Sequence, residues 1–447
     1  MTLIVSISGV RGHVPESLTP EVCLDLARAF GTYIVRGLPA GRQGKVVVGT
    51  DPRQSSGSIK ETIFAGLLSA GCKVVDLGIA PTPTVGIMTK ALAAAGGIIV
   101  TASHNPLPWN GLKFLRGDGI FLNETEAADF LKIYKSKQFR SADGKGVVAN
   151  KTGIDFHIKR VLKVIGAAAV KKAKFKVAFD GCNGAGSVAL VRFLEKLGCE
   201  VLAINCDVKL PFPHNPEPVA ANLGELIELV KKKKADIGFA VDSDADRLAI
   251  VSDEGKAVGE ELTLALAAKF VLSGKNKPIV VVNLSTSQVI DDVCRAGGAT
   301  LIRTRVGEVN VVEELKSLNG LIGGEGNGGV IFPRVGWNRD SLAGAGLILN
   351  LMAARKMKLS ELVAELPHYE MIKTKIECAS QDEANDFVEK TKEKFRGSDL
   401  ILTEGVKAVT PEGWVHVRPS NTEPIIRVIA EAKDQKSARA LIDKVGA

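Results

Sequence analysis

Three times along this 447-residue chain, a short β-rich apolar run leads into a polar loop, a helical stretch closed by glycine, and a second apolar run. The first copy starts at Lys45-Val46-Val47-Val48-Gly49, passes Thr50-Asp51-Pro52-Arg53, closes at Ala70-Gly71-Cys72 and resumes at Lys73-Val74-Val75. The second starts at Lys176-Val177-Ala178-Phe179-Asp180, passes the loop from Gly181 to Gly186, closes at Leu197-Gly198-Cys199 and resumes at Glu200-Val201-Leu202. The third starts at Pro278-Ile279-Val280-Val281-Val282-Asn283, passes Leu284-Ser285-Thr286-Ser287, closes at Ala296-Gly297-Gly298 and resumes at Ala299-Thr300-Leu301-Ile302. Glycine suits the left-handed position just past a helix, and a new strand directly after it completes a βαβ unit. Such a unit demands parallel strands with helices covering the sheet. The copies begin at residues 45, 176 and 278, too far apart for a solenoid, so three separate α/β domains are expected.

Beyond Leu366 the rhythm changes. Strands are expected at 370–378, 414–417 and 425–430, with helices at 382–395 and 435–445, which reads as a smaller α+β domain. The expected domains are 1–150, 151–252, 253–366 and 367–447, with 144–153 the most linker-like stretch. A chain of this length is too long for one core.

Charge and composition narrow the function. The net charge of +8 suits small anionic ligands, while only 5% aromatic residues argue against base-stacking platforms and nucleic acid. The tract Lys231–Lys234 follows a helical pattern at 223–230, where cations favour the negative end of the helix. No apolar segment is of membrane-spanning length, and Met1-Thr2-Leu3-Ile4-Val5 runs straight into a Gly-Arg loop without a secretion leader. Seven cysteines, an odd number without a C-x-x-C pair, argue against disulfides and zinc and for a reducing cytoplasm. Monomer and homodimer both remain open.

Four loops carry chemistry. After the apolar run Gly97–Val100 comes Thr101-Ala102-Ser103-His104-Asn105-Pro106, then Trp109-Asn110-Gly111-Leu112-Lys113. A serine on such a loop can carry a covalent group, with His104 or Lys113 to move protons or hold anions; an ordinary polar turn reads the same residues equally well. After Ile237–Val241 comes Asp242-Ser243-Asp244-Ala245-Asp246-Arg247. In an extended run, alternate side chains share a face, so the three carboxylates converge and call for a cation. An all-oxygen set on a short loop suits Mg²⁺. A third loop, Gly323-Gly324-Glu325-Gly326-Asn327-Gly328-Gly329, offers the acceptor Glu325 and the mixed donor-acceptor Asn327 for sugar hydroxyls, and a flexible turn reads it equally well. The fourth, Arg418-Pro419-Ser420-Asn421-Thr422-Glu423-Pro424 with Arg427 beyond, is either a phosphate clamp or a turn in which Arg418 pairs with Glu423. Near the start, Arg11 lies on the glycine-flanked turn Ser8-Gly9-Val10-Arg11-Gly12.

These four motifs, in this order and spread along the whole chain, resemble those of the α-D-phosphohexomutases, a family that includes phosphoglucomutase/phosphomannomutase and phosphoglucosamine mutase. The resemblance implies four domains around a central cleft: three related α/β domains with mixed, mainly parallel sheets and a smaller C-terminal α+β domain. It implies that Ser103 carries a phosphoryl group and joins Asp242, Asp244 and Asp246 in binding Mg²⁺. Glu325 and Asn327 would then recognise the sugar, and Arg247, Arg418, Ser420, Asn421, Thr422 and Arg427 would hold the phosphosugar. Arg11, His104 and Lys113 are candidates for proton transfer or phosphate contact, Lys113 and Arg11 foremost. The implied reaction interconverts hexose 6-phosphate and hexose 1-phosphate through a hexose 1,6-bisphosphate. The alternatives are a Mg²⁺-dependent phosphatase or phosphotransferase without the return step, and a non-catalytic sugar-phosphate sensor.

One departure bears on the sugar. Many bacterial relatives read Gly-Glu-Met-Ser-Gly-His or Gly-Glu-Gln-Ser-Gly-His in the third loop. Here Asn327 replaces the serine and Gly329 the histidine, leaving that histidine's role vacant. The variant resembles a branch assigned to phosphoglucosamine mutases in archaea and some bacteria, and an amide there can serve a 2-amino group.

Overall fold

The structure, a computed structural model, describes residues 3–446 except 7, 8, 40–42, 145 and 421–424. Each expected βαβ unit is present, and its two strands pair in parallel, from Lys45↔Lys73, Lys176↔Glu200 and Ile279↔Thr300 onward. The glycines that end the helices take φ values of 85° at Gly71, 80° at Gly198 and 63° at Gly298, where a side chain would be strained.

All three units share one strand order. The second strand lies beside the first, the third follows in parallel on its other side, and a fourth pairs antiparallel to the third. In the first unit these strands are Lys73–Ile79, Lys45–Thr50, Gly96–Val100 and Trp109–Arg116, in spatial order. In the second they are Glu200–Ile204, Lys176–Asp180, Ile237–Val241 and Leu248–Ser252. In the third they are Thr300–Thr304, Ile279–Asn283, Ile322–Glu325 and Gly329–Ile331. The serine loop, the aspartate loop and the glycine-rich loop therefore occupy one topological position, the junction from third strand to fourth. That junction lies at the carboxyl ends of the parallel strands, where open α/β sheets bind ligands.

The first sheet is extended by Ile4–Ser6, Gly9–His13 and Val147–Ala149 to seven strands. The stretch expected as linker thus contains an edge strand, whose valines pair in parallel with Val74 and Val75 while their side chains stay exposed. The fourth unit is an antiparallel sheet of Glu370–Glu377, Ile425–Ala432, Gly413–Pro419, Val406–Val409 and Asp399–Ile401, covered by helices Gln381–Lys394 and Gln435–Val445. Lys231–Lys233 form the last turn of helix Gly224–Lys233, as the charge argument requires.

The largest core joins the second and third units. Phe179, Phe193 and Phe239 of one pack with Leu264, Leu347 and Ile348 of the other. Helix Ser341–Arg355 lies at its centre, apolar nearly all round and started by the Asp340 side chain, which accepts from the Leu342 and Ala343 amides. Each such side chain fully withdrawn from water contributes about 1.5–3 kcal/mol. The fourth unit keeps a separate core around Phe395, Val415, Val428 and Ile442. All seven cysteines are free thiols, and no helix among the described residues is long and apolar enough to cross a membrane.

Candidate active site

Ser103 is buried, with φ of 51°, in the left-handed region that a residue with a side chain occupies only when its surroundings enforce it. The enforcement is visible. Its amide donates to Thr101 Oγ1 at 2.9 Å, and its carbonyl accepts from Arg53 Nη2 at 2.5 Å and Ser243 Oγ at 2.7 Å. Arg53, itself paired with buried Asp51 at 3.0 Å, also donates to the Asn105 carbonyl at 2.7 Å and the Trp109 carbonyl at 2.9 Å. Asp51 in turn accepts from Thr101 Oγ1 at 2.7 Å and lies 2.8 Å from Ser243 Oγ, whose one proton it shares with the Ser103 carbonyl. One buried carboxylate–guanidinium pair therefore fastens the serine loop to the aspartate loop of the next unit. Ser103 Oγ donates to Asp242 Oδ2 at 2.7 Å.

The aspartate loop converges by a different route from the expected extended run. It is a tight turn: the Ala245 amide donates to the Asp242 carbonyl at 3.0 Å, and Ala245 has φ of 54°. The Asp246 and Arg247 amides close on Asp242 Oδ1 at 3.1 and 3.2 Å. The turn wins because it pairs buried amides that an extended run would leave bare. One oxygen from each of Asp242, Asp244 and Asp246 lies within 4.8 Å of the others, and Oδ1 of both Asp244 and Asp246 is buried without a hydrogen-bond partner. Unpartnered buried carboxylate oxygens in an all-oxygen set fit a hard divalent cation.

Electrostatics sort the nearby groups. Burial, then Asp246 and Asp244, pushes the Asp242 carboxyl well above the usual range. At Asp246 burial acts the same way but is outweighed by Arg339, Lys113 and Arg247, which hold it below that range. Lys113 Nζ donates to Asp244 at 2.6 Å and Asp246 at 3.0 Å, and these carboxylates overcome burial to keep the ammonium charged. His104 Nδ1 stands 3.5 Å from Ser103 Oγ, and burial beside Arg247 and Arg11 pushes its pKa down to about 2, so the imidazole is neutral.

Glu325 ends the third strand of its unit. Its Oε1 accepts from Asn283 Nδ2 at 2.9 Å and the Gly307 amide at 3.2 Å, while Oε2 meets Arg339 Nη1 at 2.7 Å. Asn327 turns its amide to Glu325 at 3.4 Å and its carbonyl to the Gly329 amide at 3.2 Å. Arg339 also reaches Asp246 at 2.7 Å and stands 3.1 Å from Glu308. In the fourth unit, Arg418 faces Glu404 at 3.3 Å, and Ser420 is buried at the entry to the clamp loop. Asn421, Thr422 and the Arg418–Glu423 pairing lie outside the described residues.

A cavity of about 340 Å³ gathers these groups from all four units. Among the described residues, Arg11, Lys113, Arg247, Arg339, Arg418 and Arg427 line it against two carboxylates, Glu308 and Glu325, with Asn327 and Ser420 also on its wall. Such a surplus of cations selects an anion with more than one charged group. Ser103, His104 and the three aspartates sit behind this wall, reached through Lys113 and Arg247; Arg247 Nε lies 4.0 Å from both Asp242 and Asp246. A larger groove of about 840 Å³ on the first unit carries none of these loops.

Sequence reasoning missed Arg53, Glu308 and Arg339. The charged pair Arg339-Asp340 directly before an apolar helix was the one available sign for Arg339. Nothing local marks Glu308, the first residue of helix Glu308–Ser317, and Arg53 shows only its neighbour Asp51 locally, its loop partners Ser103 and Asn105 lying about fifty residues on.

Comparison with known proteins covers the chain end to end. Family models of phosphoglucomutase/phosphomannomutase match as alpha/beta/alpha domain I over residues 3–141, domain II over 155–255, domain III over 259–369 and the C-terminal domain over 375–446. A phosphoglucomutase/phosphomannomutase of Thermococcus kodakarensis is 39% identical over 441 residues, spanning 97% of this chain and 96% of that one. A probable phosphoglucosamine mutase of Methanopyrus kandleri is 35% identical over 442 residues, spanning 98% and 95%. The crystal structure of a phosphoglucomutase/phosphomannomutase family protein from Burkholderia thailandensis superposes with a TM-score of 0.86 at 26% identity, covering 99% of this chain and 95% of that one.

Proposed function

The chain belongs to the phosphoglucomutase/phosphomannomutase family of α-D-phosphohexomutases, and from that premise we propose that it interconverts hexose 6-phosphate and hexose 1-phosphate through phosphorylated Ser103 and a hexose 1,6-bisphosphate. The observation that carries this reading is the six-cation cavity, two of whose cations, Lys113 and Arg247, also face the aspartate turn on which Ser103 rests.

Phosphoryl transfer depends on positioning and charge neutralisation more than on covalent chemistry by the protein. Asp242, Asp244, Asp246 and the Ser103 oxygen would hold Mg²⁺, which when bound would supply part of that neutralisation. Arg53 and Ser243 fix the serine loop, and with it Oγ against Asp242. Lys113, kept charged by its carboxylates, serves as proton donor or phosphate contact in this reading, and Arg11 and Arg247 steady the transferring group. Neutral His104 orients the serine oxygen. Glu325 and Asn327 hold sugar hydroxyls, while Arg418, Ser420, Asn421, Thr422 and Arg427 grip the phosphate that is not reacting. The bisphosphate must then turn over so that its other phosphate returns to Ser103, and one clamp has to accept either end.

Glucosamine phosphate is the first substrate in this reading, ahead of glucose and mannose phosphates. The 35%-identical relative named a probable phosphoglucosamine mutase supports it. So do Glu308, Glu325 and Asn327, which line the same cavity and give it an acidic and amide-bearing side for a 2-amino group. A location among reduced thiols, the cytoplasm, fits the seven free cysteines.

The test is direct. With Mg²⁺ and a catalytic amount of hexose 1,6-bisphosphate, the protein should convert glucosamine 1-phosphate to the 6-phosphate with a higher kcat/KM than the glucose or mannose esters. Ser103→Ala should lose at least about 1,000-fold in kcat while sugar-phosphate binding by calorimetry stays measurable. Full activity in that variant would sink the phosphoserine route. Release of free phosphate without isomerisation would establish the phosphatase alternative instead.

A further inference from the structure

We propose that Arg339 is the positioning residue that ties the sugar-recognition carboxylate Glu325 to the metal-loop carboxylate Asp246, and that residue 329 is glycine so that Arg339 can pass. This deepens the functional reading above and rests on it for the identity of the two loops.

Steric evidence comes first. A Cβ built on Gly329 falls 2.2 Å from Arg339 Cδ and 2.9 Å from Cγ, far inside van der Waals contact. The backbone does not explain the glycine: Gly324 and Gly328 have φ of 154° and 85°, whereas Gly329 is not among the positive-φ residues. Gly329 stands directly opposite Glu325 in the strand pair. Removing its side chain opens a channel over the end of that hairpin, and the arginine stem fills it.

Beyond that channel the guanidinium hydrogen-bonds through both Nη atoms, while Nε has an ion-pair neighbour without a hydrogen bond. Nη1 meets Glu325 at 2.7 Å, Nη2 meets Asp246 at 2.7 Å, and Nε stands 3.1 Å from Glu308, whose other oxygen accepts from the Arg339 amide at 2.9 Å. Glu325 Oε1 is already taken by Asn283 and Gly307, so Arg339 fixes the remaining oxygen and with it the plane of the carboxylate. A planar fork can hold three carboxylates in one geometry; an ammonium cannot. Asp246 receives Lys113 and Arg339 on the same oxygen, Oδ2, leaving Oδ1 to face the metal position. The place where many bacterial relatives carry a histidine is thus filled from a different strand-to-helix junction, by a cation that does not titrate. A side chain at 329 and the arginine at 339 exclude one another.

A double-mutant cycle tests this. Arg339→Ala, Arg339→Lys, Gly329→Ala and the double variant Gly329→Ala/Arg339→Ala are compared by kcat and KM, by calorimetric affinity for hexose 6-phosphate without metal, and by melting temperature. Arg339→Ala and Arg339→Lys should each lower kcat/KM about 100-fold. Gly329→Ala should lose nearly as much, because it evicts the arginine, and the double variant should be no worse than Arg339→Ala alone. Hexose 6-phosphate affinity should follow the same non-additive pattern. A role confined to stability would lower the melting temperature and leave the kinetics of the folded fraction and its affinity unchanged. That result, or losses that simply multiply in the double variant, would overturn the proposal. Should the wild-type protein isomerise no hexose phosphate, the functional reading fails, while the affinity cycle still decides the Gly329–Arg339 coupling.

Discussion

Asp242 and Asp246 stand four residues apart in one turn and are driven in opposite directions. Both are fully buried, but Asp242 faces chiefly other carboxylates, whereas Asp246 meets Arg339 and Lys113. Asp244 has Lys113 and Thr82 on Oδ2 and nothing on Oδ1. A divalent cation on the free oxygens relieves that arrangement, so Mg²⁺ should stabilise the fold. At a hundredfold excess over Kd the gain is about 2.7 kcal/mol, visible as a rise in Tm. Asp244→Asn should abolish most of the rise, and chelation should reverse it in the wild type. An equal Mg²⁺ response in the variant would place the cation elsewhere. Ser103 and the three aspartates were legible in the sequence because an apolar strand delivers each motif to a loop. Arg339 was not, because its meaning depends on Asp246, 93 residues away, and on the absence of a side chain at Gly329.

Among the elements, the antiparallel strand Gly413–Pro419 connects the clamp to the rest of the molecule. His416, buried at its centre, shares a hydrogen bond with Ser285 Oγ at 2.9 Å through Nδ1 and with the Glu404 carbonyl at 2.9 Å through Nε2. Burial, with Arg418 and Lys407 nearby, pushes its pKa down to about 4. The unfolded chain takes up that proton near pH 6.5, before the folded one does. Stability from this group is therefore intact above about pH 6.5 and declines as the pH falls through 4, by up to about 3 kcal/mol. In denaturant titrations, the stability advantage of wild type over His416→Gln should shrink across this window; a constant difference would contradict the argument. The βαβ units were readable because glycine-closed helices and β-branched runs are local patterns. The short strands Asp399–Ile401 and Val406–Val409 were not, because three or four residues carry too little periodicity to stand out. The aspartate motif was read as extended for the same reason: its turn is set by buried amides seeking Asp242, a contact that spacing alone does not reveal.

At the scale of the molecule, the first three domains are knitted by buried side chains and the fourth is attached along a polar seam. Thr84, His157 and Asp340, from three different domains, form one chain of hydrogen bonds at 2.8 and 2.9 Å, and Ser341 Oγ donates to the Ala245 carbonyl at 2.7 Å. Across the seam, Lys407 Nζ donates to the Leu284 carbonyl at 2.6 Å, the Gln288 amide to Glu431 at 2.8 Å, and Lys373 pairs with Glu260 and Glu261 at 3.1 and 3.2 Å. With its own core, the fourth domain should unfold as a separate unit. Calorimetry of the intact chain should resolve a lower transition that hydrogen exchange assigns to residues 370–446, and one two-state transition would argue against it. The four-domain plan was legible from the repeat; the character of the seam was not, since its partners are scattered between residues 260 and 431. That seam has a consequence for heat. Should the fourth domain swing away, water can replace each of these bonds, and exposing their polar groups would offset part of the heat-capacity rise that apolar exposure brings. Any such opening should then vary more gently with temperature than the stability of the fold, which bends steeply.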